Sequence, residues 1–173
     1  MYIFCIYFLV FNYVYLNILS FQGLFYEDQI PDGMFHIGDS VFVYASTFRG
    51  STSAHIRRYK KSGSKMFPTK EGVTMRPNRI ECIMGLQKVP ATEGELKSIS
   101  NDDLRIESAD FVNFTFTRVN NENFSIITIS CDQWSRMIAQ YQDISTAVAD
   151  AFYGNIDFFA VCKNQFYCAL KAH

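Results

Sequence analysis

Five basic side chains fall within residues 47–61, "TFRGSTSAHIRRYKK": Arg49, Arg57, Arg58, Lys60 and Lys61, with no acid among them. Two aromatics, Phe48 and Tyr59, are interleaved with them, and Lys65 and Lys70 follow shortly after. Ammonium and guanidinium groups neutralise phosphates, while flat rings stack on unpaired bases. The mixture is therefore the chemistry of a surface for single-stranded nucleic acid. Stacking on Phe48 or Tyr59 would contribute ~1–3 kcal/mol per base. Packing of either ring into a core is the competing reading. An acidic protein segment is a second polyanion that the same charges would meet.

Other chemistry is poorly represented. The chain has no phosphate-binding G-x-x-x-x-G-K-[ST], no G-x-S-x-G nucleophile turn and no H-E-x-x-H zinc helix. His55 as a base with Cys82 as a nucleophile has no supporting pattern. The three histidines, His36, His55 and His173, have no ligand spacing to one another. The five cysteines are odd in number and contain no CxxC pair, which argues against a zinc ribbon and against a disulfide framework. The expectation is a protein that is not an enzyme and needs no metal or cofactor.

The elements that must position the basic residues are legible in outline. Val41, Val43 and Ala45 alternate with Phe42, Tyr44 and Ser46, a strand pattern. "RGST" reads as a tight turn, with Gly50 free to take positive φ. "SAHIRRYKK" is the returning strand. His55, Arg57, Tyr59 and Lys61 point one way along it, and Ala54, Ile56, Arg58 and Lys60 the other. The apolar pair Ala54/Ile56 should face the helices, which puts Arg57 and Tyr59 on an open sheet face. "SGSK" is a second turn. "MFPTKEGVTM" is a further strand, with Pro68 suited to its start or to an edge. "RPNRIECIMGLQK" predicts a short helix with Pro77 in its first turn and Ile80, Ile83 and Met84 on one side.

The second half repeats the plan. Residues 110–119 predict a strand, "NNEN" a hairpin and "FSIITIS" its return. A long helix follows, opened by an S-x-x-Q capping box of Ser130 and Gln133. Its apolar face is Trp134, Met137, Ile138, Tyr141, Ile144, Val148 and Phe152, and Gly154 stands where a C′ glycine belongs. Asp132 is read as part of that cap. Strands and then a helix, twice, indicate an α+β fold with helices on one side of antiparallel sheet.

The net charge of −1 conceals a split. Residues 34–88 hold ten Lys/Arg against three acids, and residues 89–173 hold six against eleven. Residues 1–26 contain no charge at all. As a helix they would span about 39 Å, enough for a bilayer core of about 30 Å. Two readings stay open here: a membrane anchor, or residues upstream of a functional unit that starts near Met34.

The basic half resembles the positive cofactor four family of transcriptional coactivators. That family reads roughly F-K-G-K, a strand ending D-I-R-E-Y, a turn, a Pro and a base, then K-G-I-S-L-x-P-E-Q-W. Phe48, Arg49 and Gly50 match its first element, and Ile56, Arg57 and Tyr59 its second. Pro68, Lys70, Gly72, Val73, Thr74, Met75 and Pro77 follow the run into the helix, identically or conservatively. The likeness spans residues 34–86. The E-Q-W helix start appears only in the second half, within "ITISCDQWSRMIAQYQDISTAVADAF". Four positions depart from the pattern: Ser51, Arg58, Lys60 and Glu71. The second half keeps only Arg118 of the basic pattern in its predicted strands.

The resemblance implies two ββββα units in tandem, forming an intrachain pseudodimer or pairing as a homodimer. Trp134, Met137, Ile138 and Tyr141 would form the interface. The implied division is a hydrophobic segment and linker at 1–33, a basic unit at 34–88, a linker at 89–104, a divergent unit at 105–154 and an extension at 155–173. The implied function is nuclear. It is binding of single-stranded or unpaired DNA as a transcriptional coactivator, through Phe48, Arg49, Arg57, Arg58, Tyr59, Lys60, Lys61, Lys65 and Lys70. Transcription machinery and acidic activators are the implied protein partners. The alternatives are an adaptor whose basic sheet binds acidic proteins, and a membrane-anchored protein using residues 1–26.

Overall fold

The basic hairpin is the centre of a five-stranded antiparallel sheet. The computed structural model describes residues 23–120 and 123–154. In chain order the strands are β1 (Phe25–Tyr26), β2 (Met34–Gly38), β3 (Val41–Phe48), β4 (Ser51–Ser62) and β5 (Lys65–Met75), arranged β1-β5-β4-β3-β2. Helix α1 (Pro77–Met84) and helix α2 (Glu93–Ile99) follow. Strands β6 (Leu104–Glu107), β7 (Asn113–Asn120) and β8 (Asn123–Ser130) make a second antiparallel sheet in sequential order. Helix α3 (Cys131–Ala139) and a helical run α4 over residues 141–154 complete the described chain. The expected α+β class with antiparallel sheet and helices is thus present.

Three two-residue turns set the registers of the large sheet. Arg49 and Gly50 both take positive φ (49° and 78°) between paired Phe48 and Ser51. Asp39 and Ser40 do the same (47° and 57°). Such mirror-image turns match the right-handed twist of a hairpin. Gly63, at φ 62°, opens the third, between Ser62 and Lys65. The Asp39–Ser40 turn splits what reads in sequence as one strand into β2 and β3.

Alternation along β3 and β4 sends Val41, Val43, Ala54 and Ile56 into the main core. There they meet Ile80, Ile83 and Met84 of α1, all fully buried as the spacing predicts. The same core contains Phe114, Phe116, Ile127 and Ile129 of the small sheet, and Trp134 and Met137 of α3. Phe114 and Phe116 flank the Trp134 ring at 4.9 and 5.3 Å. The two predicted halves therefore share one apolar core. Polar bonds also cross between them. Gln133 Nε2 donates to the Gly38 carbonyl at 2.9 Å, and Arg118 donates to the Thr74 carbonyl at 2.6 Å.

Three sequence expectations need correcting. The stretch 89–104 is not only linker, because Thr92 caps α2 and Leu96 and Ile99 are buried. The long helix is interrupted at Gln140, although its Ser130/Gln133 capping box is present. Strand β7 starts at Asn113, since the Asp110 carboxylate accepts from the amides of Val112 and Asn113 and turns the chain there. Those bonds hold the Asp110 carboxyl down at about 2.

Residues 1–22 and 155–173 lie outside the described residues, as do Asn121 and Glu122 of the "NNEN" turn. Phe25 and Tyr26, placed by sequence in a possible anchor helix, are a strand paired to Met66 and Lys65. Among the described residues, no helix is long and apolar enough to cross a membrane.

Candidate nucleic-acid interface

The second face of the large sheet is not open, contrary to the sequence expectation. Phe25, Met34, Phe42, Tyr44, Tyr59 and Met66 form a small apolar cluster on it. Tyr59 is only 3% exposed, with Phe25 and Phe42 rings at 5.1 and 5.2 Å. Its phenol is held well above its ordinary range, first by burial and then by the neighbouring Tyr44 hydroxyl. Tyr59 points in the predicted direction, but Phe25 of β1 covers it. That cover depends on the long-range pairing of Phe25 with Met66, which no local pattern encodes.

His55 lies on the same face. Its ring stacks on Tyr44 at 4.7 Å, Nε2 bonds Ser46 Oγ at 2.8 Å and Nδ1 bonds Thr74 Oγ1 at 3.0 Å. Burial, then the Arg57 and Arg118 guanidiniums, pull its pKa down to about 4. The imidazole is therefore neutral at physiological pH and acts as a sheet cross-link.

The two central arginines are also engaged within the fold. Arg57 donates to the Thr69 carbonyl at 2.7 Å, across a bulge where β5 inserts extra residues opposite β4. Arg58 pairs with Glu71 at 2.8 Å and donates to the carbonyls of Asp39 and Thr128. The last bond joins the two sheets. Arg58 and Glu71, two of the four positions that depart from the pattern described above, pair with each other. An ion pair this exposed is worth about 0–1 kcal/mol, so its role is chiefly positional.

The remaining cations gather at the two ends of the hairpin. At one end Arg49 lies 5.2 Å over the ring of Phe48, which is 71% exposed. Towards the other, Lys60, Lys61 and Lys65 are exposed, and Lys70 is exposed in the bulge opposite Arg58. Lys61 forms an ion pair with Glu27. Among the described residues Arg49, Lys60, Lys65 and Lys70 have no carboxylate partner. Strand β4 has 12 residues, so at about 3.3 Å per residue the two ends stand roughly 36 Å apart. A bound strand would have to run the length of the hairpin to touch both.

Two exposed aromatics near the lysine end, Tyr26 and Phe67, escaped the sequence reading. Their signal is weak: Tyr26 ends an uncharged run, and Phe67 sits among Lys65, Pro68 and Lys70. The predicted interface residues Trp134 and Met137 are fully buried in the shared core, with Ile138 and Tyr141 packed against it. Among the described residues, no cluster of His, Cys, Asp or Glu could hold a metal ion.

Comparison with protein-family models, curated proteins and solved structures finds no match to this chain.

Proposed function

We propose that this chain is a DNA-binding protein similar to the positive cofactor four family, preferring single-stranded or melted DNA with little sequence reading. It acts as a transcriptional regulator or coactivator in the nucleus, without catalysis. Its two halves are divergent tandem units. Strands β2 to β5 with α1 are the basic one, and β6 to β8 with α3 are the other, joined as an intrachain pseudodimer through the core around Trp134.

One observation carries the reading. Among the described residues, Arg49, Lys60, Lys65 and Lys70 are held on the hairpin without carboxylate partners, and the first three stand by the exposed rings of Phe48, Phe67 and Tyr26. The sheet sets the backbone positions of these cations along a path for phosphates, and the rings offer stacking that ignores base identity. Arg57, Arg58 and Tyr59 support this surface from within the fold.

The test is titration of the full chain with a fluorescein-labelled thymidine oligonucleotide at two salt concentrations. Binding should weaken steeply with salt. Arg49→Ala with Lys70→Ala should lower the logarithmic salt slope by up to about 1.4, at ~0.7 per lost contact to a single strand. Absence of binding at low salt would reject the reading.

A further inference from the structure

The lysine end of the hairpin has a face of its own, defined by register. In antiparallel sheet, directly opposed residues project on the same side, and so do alternate residues of one strand. Tyr26 opposes Lys65, and Lys60 opposes Phe67. Lys65 and Phe67 alternate around Met66. Tyr26, Lys65, Phe67 and Lys60 therefore share one side of the β1-β5-β4 corner. The opposite side holds Phe25, Met66 and Tyr59, which are buried together.

Tyr26 is 46% exposed and Phe67 41%, in a region where large apolar rings are otherwise packed away. The Lys65 ammonium stands 5.6 Å from the Tyr26 ring centre. The nearby Glu27 carboxylate is turned to the ion pair with Lys61. The face thus offers two rings and two cations that have no carboxylate partner among the described residues.

We infer that Tyr26 and Phe67 form a two-base stacking site for unpaired nucleic acid, with Lys60 and Lys65 contacting the phosphates that flank the bases. The inference rests on the DNA-binding reading and gives it a location that includes β1. Spacing selects the ligand. Diagonal neighbours across antiparallel strands are about 7–8 Å apart, whereas stacked bases in a duplex strand rise by about 3.4 Å. Side chains rooted that far apart can each take the face of one base splayed from a single strand.

The experiment uses the full chain with a labelled thymidine oligonucleotide and its uridine counterpart. Tyr26→Ala with Phe67→Leu should weaken binding by about 10-fold or more, the loss expected for at least one stacked base, and leave the salt slope unchanged. Lys60→Ala with Lys65→Ala should lower that slope by up to about 1.4. A second readout does not depend on how the variants fold. Oligonucleotide carrying photoreactive iodouracil should crosslink the wild-type chain at Tyr26 or Phe67. Loss with either oligonucleotide supports the site, and the two arms distinguish DNA from RNA. A wild-type chain that binds both but crosslinks elsewhere, with the ring variant binding equally well, overturns the site and leaves the DNA-binding reading standing. No binding of either oligonucleotide overturns both.

Discussion

The two sheets obey the same alternation but present opposite surfaces. The three-stranded sheet buries one face, through Phe114, Phe116, Ile127 and Ile129, and leaves Phe124, Ile126 and Thr128 exposed on the other. The five-stranded sheet is covered on both faces along its middle, by the main core on one side and by the Phe25/Phe42/Tyr59 cluster on the other. Among the described residues, its cations without carboxylate partners lie towards the ends of β4 and at the bulge opposite Arg58. Arg118, the basic residue of β7, is spent inside on the Thr74 carbonyl. A basic strand does not make its whole face accessible: burial claims the middle and leaves the ends exposed.

Three predictions probe that contrast. The largest effect belongs to Trp134, which both sheets share. Trp134→Ala should destabilise the chain by ~3–5 kcal/mol, and denaturant unfolding should remain one transition, because neither sheet keeps a core without it. Separate transitions for the two sheets would break the comparison at its base.

Next comes Tyr59. Tyr59→Ala should cost about 3 kcal/mol of stability by emptying the aromatic cluster. Oligonucleotide affinity, measured where the variant is fully folded, should stay near the wild-type value. A large loss of affinity with intact stability would restore Tyr59 as a stacking face.

His55 gives the smallest effect, visible as a pH dependence. The unfolded chain takes up a proton near pH 6.5, while the folded imidazole resists until about pH 4. The unfolded state therefore binds more protons in that window, and stability falls as pH drops through it. Burial and the adjacent arginines set the scale at about 2–3 kcal/mol. In His55→Gln, denaturant midpoints between pH 4 and 6.5 should lose most of this slope. An unchanged slope would place the titration elsewhere.

Much of this arrangement was legible in the sequence because it is local. Two-residue turns at Gly50 and Gly63, the Ile80/Ile83/Met84 helix face and the Ser130/Gln133 cap each depend on residues a few positions apart. The direction of every side chain on β4 also followed from alternation. The cover on Tyr59 was not legible, since it depends on Phe25, which reaches the hairpin only through pairing with Met66. The arginines were misjudged for the same reason. Sequence showed Arg57 and Arg58 as charges, but not the Thr69, Asp39 and Thr128 carbonyls that tertiary folding brings to them. Helix α2 was hidden because a helix of seven residues with only two buried apolar side chains looks polar.

The central claim is that the hairpin ends, and not the open face of the small sheet, meet unpaired DNA. Backbone amide shifts of the full chain, followed during titration with a thymidine oligonucleotide, test it most directly. Perturbation is expected at residues 48–50 and 60–70, with residues 115–117 and 126–128 unmoved. Perturbation confined to the three-stranded sheet, or no perturbation anywhere, would contradict it.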